Sequence, residues 1–294
     1  MDHAGPKPDL GGALGRSGLV IPEKLFGIIG ASLSHSLSPL LHNWGFGRER
    51  LPYAYLTWEI QTDAIPAFML ACRTLPISGL SVTIPHKQAV IPYLDELTEE
   101  ASATGAVNTL FWDQGRLWGD NTDCRGFLAP LTKEGRMPES ALLLGAGGAA
   151  LACIHALQRH GCQEIRIAAR NNEKAAALAR RTGLTSLAWE ERSRAGAELA
   201  VNATPLGTSG SLAGESPLPA YSLSRFETIY DLVYNPLKTV LLKEAESAGC
   251  RCISGLDMFV SQGLLQFLRW TGHDLPEEES RKLLLTRLWA ASSM

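Results

Sequence analysis

The sequence predicts an α/β fold in two domains, with a parallel sheet in the second domain. Its 294 residues are 45% hydrophobic, which is enough apolar material to bury one or two cores. Short apolar runs alternate with helix-like segments, and from residue 141 onward this alternation is regular. Such alternation is typical of βαβ units, in which helices cover both faces of a parallel sheet.

The first half of the chain predicts a sheet of its own. Residues 25–30 form a short apolar run bounded by glycine, which is typical of a fully buried strand. Ser38 before Pro39 predicts a helix over about 40–50, with Ser38 as its N-cap. Asp113-Gln114-Gly115 predicts a hairpin turn between strands at 107–112 and 117–118. The remaining predictions in this half are strands at 53–60 and 79–84, a helix at 62–73, and a helical segment that begins at Pro85.

The second half predicts the parallel sheet. Strands are expected at 141–144, 164–168, 199–203 and 228–233, and helices at 149–159 and 172–181. Two further helices, at 258–270 and 276–291, follow near the end of the chain. Residues 1–22 contain several glycines and prolines and predict a flexible N-terminal arm.

Composition and spacing exclude several classes of function. The net charge is −3 without a run of Lys or Arg, so no nucleic-acid partner is expected. The six cysteines have no paired CxxC spacing, and His35, His42 and His86 have no second set of ligands, so no metal is expected. A Gly-x-Ser-x-Gly motif is absent around Ser36, which argues against a serine nucleophile. No secretory signal and no membrane span are recognised, so the protein is expected to be soluble and cytoplasmic.

A glycine-rich turn links the predicted strand at 141–144 to the helix at 149–159. Its sequence is Gly145-Ala146-Gly147-Gly148-Ala149-Ala150. Missing side chains let the backbone approach a pyrophosphate, and the helix N-terminus supplies free N–H groups. The turn therefore predicts a dinucleotide site, with a turn that serves only tight packing as the alternative.

The end of the next strand indicates which dinucleotide binds. An acidic residue there would bind a ribose 2′-hydroxyl, but the strand ends in Ala168-Ala169-Arg170-Asn171. Arg170 and Lys174 provide two cations one helical turn apart, which suits a 2′-phosphate. NADP is therefore favoured over NAD, and a solvated pair of surface cations is the alternative.

Lys87 and Asp123 each follow a predicted strand, where open α/β sheets collect their ligands. A lysine near a carboxylate can transfer a proton to or from an alcohol while a nicotinamide exchanges a hydride. The sequence alone does not establish that the two side chains meet. A surface lysine and a helix-capping aspartate are the alternatives.

Eight motifs in order, spanning about residues 30 to 262, resemble those of the shikimate dehydrogenase family. They are GASLSHSLSP at 30–39, GLSVTIPHK at 79–87, GAVNT at 105–109, GDNTDCRG at 119–126, GAGGAA at 145–150, NATPLG at 202–207, DLVYNP at 231–236 and GLDMFVSQ at 255–262. The resemblance implies a substrate-binding domain over 23–122, an NADP-binding Rossmann-like domain over 123–254, and C-terminal helices over 255–294 that return to the first domain.

The resemblance also implies a reaction and a set of site residues. The reaction is the reversible reduction of 3-dehydroshikimate to shikimate by NADPH, with Lys87 and Asp123 as the catalytic pair. Side chains that would bind the substrate are Ser36, Ser38, Thr83, Asn108, Tyr234 and Gln262. Those that would bind NADP are Gly145, Ala146, Gly147, Gly148, Ala149, Arg170, Lys174, Thr204, Leu232 and Gly255.

Three departures from the family pattern bear on substrate and cofactor. Ser32 replaces a proline in the loop that carries Ser36, Ser81 replaces an asparagine, and Leu151 replaces a basic residue after the glycine turn. A paralogue that acts on quinate or a related acid, with NADP or NAD, is therefore one alternative. A ligand sensor without catalysis is another, although such a protein would not need the proton-transfer pair. The oligomeric state is left open between monomer and homodimer.

Overall fold

Two six-stranded sheets, built from successive halves of the chain, organise the molecule. The structure is a computed structural model that describes residues 21–133, 135 and 137–292. The predicted N-terminal arm lies outside this range except for residues 21 and 22. In the described part of the chain, no helix is both long enough and apolar enough to cross a membrane.

The first sheet is mixed and has the strand order β2-β1-β3-β5-β6-β4. Strand β1 runs parallel to β2 and β3, whereas β5 runs antiparallel to β3 and β6. The predicted hairpin between β5 and β6 is confirmed, and its turn places Gln114 and Gly115 at φ 47° and 76°. The strands of this sheet are β1 (Lys24–Gly30), β2 (Tyr53–Glu59), β3 (Ile77–Val82), β4 (Glu96–Leu97), β5 (Thr109–Asp113) and β6 (Arg116–Asp120), and the helices of this half are α1 (Ser38–Arg48), α2 (Ile65–Cys72) and α3 (Glu99–Thr104).

The second sheet is parallel throughout, as the sequence predicts. Its strand order is β12-β11-β10-β7-β8-β9, which is the order of a Rossmann fold when the first strand is β7. The strands are β7 (Ser140–Leu144), β8 (Glu164–Ala168), β9 (Thr185–Leu187), β10 (Ala197–Asn202), β11 (Phe226–Asp231) and β12 (Arg251–Ser254), and the helices of this half are α4 (Asp123–Thr132), α5 (Gly148–Arg159), α6 (Asn172–Thr182) and α7 (Val240–Ser247).

Strand β7 shows why the second sheet is covered on both faces. Ala141 and Leu143 pack into one hydrophobic cluster, and Leu142 and Leu144 pack into another. All four side chains are fully buried. Because side chains alternate along a strand, a continuous apolar run requires helices on both sides of the sheet.

The C-terminal helices α8 (Gly255–Thr271) and α9 (Glu277–Ser292) return to the first half of the chain. Helix α8 contacts α1, β3 and β5, and α9 contacts α1. Helix α4 packs against α5 of the second half and also against α8, which returns to the first half of the chain. The exact domain boundaries remain a prediction.

Three predicted helix positions differ from the structure. Helix α1 begins at Ser38 itself and Leu37 is the N-cap, because the Ser36 hydroxyl accepts the Ser38 N–H at 3.3 Å. The helix expected at 62–73 is divided, with a 3-10 turn before α2, and Pro66 occupies the first turn of α2.

No α-helix follows Pro85, where residues 84–90 form turns and a 3-10 helix covers Ile91–Tyr93. The Lys87 carbonyl accepts the Val107 N–H at 2.8 Å, which ties this segment to the neighbouring chain. Pro92 has no N–H with which to continue an α-helix. The segment that carries Lys87 is thus held by tertiary contacts rather than by a helix.

Candidate active site

A cavity between the two halves of the chain collects the predicted catalytic and substrate-binding side chains. It forms where the segments after β1 and β3 approach the glycine turn, the segment after β11, and helix α8. Its walls include all eight of those predicted side chains, namely Ser36, Ser38, Thr83, Lys87, Asn108, Asp123, Tyr234 and Gln262. Ala149, Leu232 and Gly255, which the sequence assigns to the cofactor, line the same cavity.

Lys87 and Asp123 form an ion pair in this cavity. Lys87 Nζ lies 2.5 Å from Asp123 Oδ2, and the two side chains are 22% and 11% exposed. Asp123 is the first residue of α4, where the positive end of the helix dipole favours a carboxylate. The pairing argues against a solvated surface lysine, and Thr122 rather than Asp123 occupies the N-cap position.

The Asn108 side chain fixes the other oxygen of Asp123. Asn108 Nδ2 donates to Asp123 Oδ1 at 2.8 Å and to Thr122 Oγ1 at 3.0 Å. Asn108 Oδ1 accepts the Thr122 N–H at 2.9 Å. The amide therefore orients the start of α4 and leaves Asp123 Oδ2 to Lys87. Both amide hydrogens of Asn108 already have protein acceptors. A direct contact between Asn108 and substrate stays a prediction.

The loop after β1 carries Ser36 and Ser38 to the cavity. The Ser36 N–H donates to the Leu33 carbonyl at 2.9 Å, and the Leu33 N–H donates to Glu59 Oε1 at 2.6 Å. The carboxylate at the end of β2 thus holds the loop in which Ser32 stands. Sequence reasoning gave Glu59 no role.

The glycine turn has the geometry that a dinucleotide pyrophosphate requires. Gly145 has φ 121°, and a Cβ added there would lie 2.8 Å from the Ala203 carbonyl oxygen. Nothing lies within 4 Å of a Cβ added at Gly147 or Gly148, so a ligand can approach this backbone closely. Gly147 is the N-cap of α5 and has no side chain that could accept the first N–H groups of the helix. These N–H groups are suited to phosphate oxygens.

Arg170 and Lys174 lie at the same edge of the sheet as the glycine turn. Strand β8 pairs in parallel with β7 and matches Ala168 to Leu144, so both strands end on one side. Both cationic side chains are exposed. The Lys174 N–H donates to Asn171 Oδ1 at 2.9 Å, which caps α6 and fixes the start of the helix between the two cations. The residues present fit the adenosine end of NADP.

A second cavity shares a wall with the first and borders the glycine turn. Thr204, Ala149 and Leu232 line it, together with His35 and Ile84 from the first half of the chain. Gly255, which lines the first cavity, packs against the shared wall residue Leu232, where an added Cβ would be 2.2 Å from the Leu232 carbonyl oxygen. The second cavity thus adjoins the cavity that holds the Lys87–Asp123 pair and suits the nicotinamide end of a dinucleotide.

A buried carboxylate holds the backbone beneath this second cavity. Asp231 Oδ1 accepts bonds from Asn202 Nδ2 at 2.8 Å and the Val233 N–H at 3.0 Å, and Oδ2 accepts from the Thr239 hydroxyl at 2.6 Å. Burial raises the pKa of Asp231 to about 6, against these bonds. Asn202 Oδ1 in turn accepts from Thr204. Two of the sequence motifs are therefore joined by a structural contact.

Sequence reasoning missed several side chains of the first cavity. Met258, Phe259 and Gln266 line it, and so does His35, which the sequence weighed only as a metal ligand. Ser81, which the sequence recognised as replacing a family asparagine, also lines it. A signal for Gln266 was present, since it follows Gln262 by four residues and therefore shares its helix face.

Because a glycine turn suited to a pyrophosphate borders a cavity with a lysine–carboxylate pair, fold and site define a dinucleotide-dependent dehydrogenase. The chain is 49% identical to the NADP-dependent shikimate dehydrogenase of Maridesulfovibrio salexigens, over 91% of this chain and 98% of that one. It is 50% identical to that of Oleidesulfovibrio alaskensis, over 91% and 97%. The chain belongs to the shikimate dehydrogenase family.

Family models and a solved structure agree with this assignment. Residues 28–110 match the shikimate dehydrogenase substrate binding domain, residues 132–199 match shikimate / quinate 5-dehydrogenase, and residues 255–285 match the shikimate 5'-dehydrogenase C-terminal domain. The Thermus thermophilus enzyme, solved in complex with NADP(H) and shikimate, has a TM-score of 0.81 and 36% identity, over 90% of this chain and 99% of that one.

Proposed function

We propose that this chain is an NADP-dependent shikimate dehydrogenase, which reversibly reduces 3-dehydroshikimate to shikimate. The observation that carries the proposal is the Lys87–Asp123 pair, held at 2.5 Å in a cavity that adjoins the glycine turn. The names and bound ligands of its relatives support the choice of substrate and cofactor.

Lys87 is the proton donor in the direction of reduction. Its ammonium group lies in the cavity wall, and its partner Asp123 Oδ2 holds it in one orientation. As negative charge develops on the substrate oxygen, Lys87 Nζ donates a proton to that oxygen. Asp123 accepts hydrogen bonds from Lys87 and from the substrate hydroxyl, and Asn108 prevents the carboxylate from rotating away. In the oxidative direction the Lys87 side chain acts as the neutral amine and removes the same proton from the substrate hydroxyl.

The hydroxyl-rich walls of the cavity select a polyol acid. Ser36, Ser38 and Thr83 offer hydroxyls, and Gln262 offers an amide that can bind hydroxyl or carboxylate oxygens. A site built to hydrogen-bond hydroxyl groups rejects analogues that lack them, because its polar groups would then be left unpaired. Tyr234 packs against Phe259, with 5.2 Å between ring centroids, and closes one side of the cavity.

The glycine turn and the cations beyond β8 bind the cofactor. When bound, NADPH supplies the hydride for the reduction. Gly147, Gly148 and the N-terminus of α5 receive the pyrophosphate, and Arg170 with Lys174 receives the 2′-phosphate. The second cavity, between Thr204, Leu232 and Ala149, receives the nicotinamide.

The proposal is tested by initial rates at the nicotinamide absorbance band, with shikimate and quinate each paired with NADP and NAD. Turnover that is fastest with shikimate and NADP is the expected result. Faster turnover with quinate or with NAD would instead place the chain in a paralogous branch with the same fold. The quinate alternative stays relevant because one matching family model carries both substrate names.

A substitution separates catalysis from binding in the same assay. Lys87→Met removes the proton donor and should lower kcat by about 10²- to 10⁴-fold while NADP still binds. The control is Lys243→Met on the exposed surface of α7, which should leave kcat unchanged. A Lys87→Met enzyme with kcat within threefold of the wild type would contradict the assigned role.

A further inference from the structure

Gln266 is a buried amide at the wall of the first cavity that the proposed reaction does not use. It lies on α8, one helical turn beyond Gln262, and is 1% exposed. Burying an amide is costly unless its polar atoms are bonded, so the partners of Gln266 show what its side chain holds in place.

The Gln266 amide joins α8 to two strands of the first sheet. Its Oε1 accepts from the Ser81 hydroxyl at 2.8 Å, at the end of β3. Its Nε2 donates to the Thr109 hydroxyl at 2.8 Å and to the Asn108 carbonyl at 3.0 Å, at the start of β5. A side chain that serves only packing would not need this set of bonds, which uses the amide oxygen and both of the amide N–H donors.

These bonds belong to a chain in which every donor points toward Asp123. The Tyr55 hydroxyl donates to Ser81 at 2.6 Å, and Ser81 donates to Gln266. Gln266 donates to Thr109, and the Thr109 hydroxyl donates to Asn108 Oδ1 at 2.7 Å. Asn108 Nδ2 then donates to Asp123 Oδ1.

The common direction of these bonds has a physical consequence. Each donor in such a chain is polarised by the bond before it, so successive bonds strengthen one another in a buried site. The strengthened donor at the end of the chain is the Asn108 amide, which faces a carboxylate. The Thr109 hydroxyl and the Thr122 N–H both donate to Asn108 Oδ1, so the chain and the backbone together fix which end of the Asn108 amide faces Asp123.

We infer that Gln266 is a positioning residue, which orients Asn108 and thereby holds Asp123 in the geometry that pairs it with Lys87. It acts through Thr109 and Asn108 and does not itself touch the reacting atoms. The inference rests on the proposed function, because it assigns Asp123 a part in the reaction.

Two substitutions at Gln266 test the inference. Gln266→Met keeps the length of the side chain and removes all of its strong hydrogen bonds. Gln266→Glu keeps the shape, and its neutral carboxylic acid can still accept from Ser81 and donate to Thr109. Once ionised, the introduced carboxylate can only accept, so the chain to Asn108 is broken. Burial raises the pKa of a carboxyl group, which brings this titration toward neutral pH. The titratable ring of His42 faces the Gln266 side chain, and burial lowers its pKa to about 3, so it carries no charge of its own in this range.

The expected result is a loss that depends on pH in one variant only. Relative to wild type at each pH, kcat of Gln266→Glu is near normal at pH 5.5 and falls about tenfold or more by pH 9. Relative kcat of Gln266→Met is lowered about ten- to hundredfold across the range. The KM for NADP stays unchanged in both, because the glycine turn is not part of the chain.

The control is Ser222→Ala in the second half of the chain. Ser222 is fully buried and donates to the Pro219 carbonyl at 2.8 Å, so its loss removes a buried hydrogen bond remote from the cavity. The kcat of Ser222→Ala relative to wild type should be near one and should not change with pH. Thermal melting curves at each pH show that the variants are folded.

Three outcomes overturn the inference, and the first two of them leave the proposed function standing. One is a kcat of Gln266→Met within twofold of wild type. Another is a relative kcat of Gln266→Glu that does not change with pH, and this comparison stands even if Gln266→Met fails to fold. The third is a wild-type enzyme without activity on shikimate and NADP, which overturns the proposed function and this inference with it.

Discussion

Replacement of His42 by Phe should remove a source of acid sensitivity. His42 is fully buried in an aromatic cluster, with its ring 4.6 Å from the Tyr55 ring and 5.0 Å from that of Trp270. Burial penalises the charged imidazolium and lowers the pKa of His42 to about 3. Phe retains an aromatic ring of similar size without a titratable group.

The magnitude follows from linkage between protonation and folding. The folded-state pKa of about 3 lies below the ordinary value of 6.5, so the unfolded chain binds the proton more tightly. The stability contributed by neutral His42 is therefore present above pH 6.5 and is lost as the pH falls. At pH 4 the native ring is still neutral while the unfolded ring is charged. The wild type then loses about 3 kcal/mol relative to pH 7 from this group alone.

The assay is urea unfolding of wild type and His42→Phe at pH 7, 6, 5 and 4. The quantity to compare is the difference between the two free energies of unfolding at each pH. A constant packing change from the larger ring shifts this difference equally at every pH, so only its slope reports the titration. Between pH 7 and pH 4, this difference in the free energy of unfolding is expected to shift in favour of the variant by about 3 kcal/mol.

A matched histidine on the surface serves as the control. His273 is exposed and its Nδ1 lies 3.3 Å from Glu49 Oε2, so His273→Gln removes no buried ring and should not stabilise the protein relative to wild type as the pH falls. The reasoning about His42 is refuted if the difference between wild type and His42→Phe stays constant within 1 kcal/mol from pH 7 to pH 4.

Two further predictions concern the cofactor half. Burial raises the folded-state pKa of Asp231 to about 6, so the native protein holds this proton more tightly and its stability falls as pH rises from 4 to 6. Asp231→Asn should remove about 2 kcal/mol of that decline between pH 4 and pH 7 in urea unfolding, and an unchanged slope would contradict it. Arg170→Ala should raise the KM for NADPH about tenfold and leave that for NADH unchanged, because it removes a partner of the 2′-phosphate. Arg180→Ala, exposed farther along α6, is the control; equal increases in both KM values would exclude Arg170 from that role.

The fold of the second half was largely predictable, and its pattern explains why. Strand β8 has the predicted bounds, since a short apolar run enclosed by polar residues and turns leaves little choice of register. The start of α1 was not predicted correctly, because Ser38 is itself helical and donates its N–H to the Ser36 hydroxyl, while Leu37 is the N-cap. Short elements such as α3, with six residues, have too few periods for a helical pattern to be recognised.

The contacts of the candidate site were less predictable than its members. The motifs identified Lys87 and Asp123, but their pairing depends on how β3, β5 and β6 are arranged in space. Asn202 and Asp231 are 29 residues apart and meet only because β10 and β11 are parallel neighbours in register. The chain through Gln266 spans 185 residues between Ser81 and α8. Such contacts have no local signature in a single sequence.

The hairpin between β5 and β6 shows how a local signal can nevertheless set the geometry of the site. Its turn pairs Thr109 with Asp120, so Asn108 and the residues after Asp120 emerge side by side from the same end of the hairpin. This is why the Asn108 amide reaches Thr122 and Asp123. A shift of register by one residue would turn every side chain of β5 to the opposite face and separate Asn108 from Asp123. The backbone conformation at Gln114 and Gly115, which fixes that register, therefore also determines where the carboxylate of the Lys87–Asp123 pair is held.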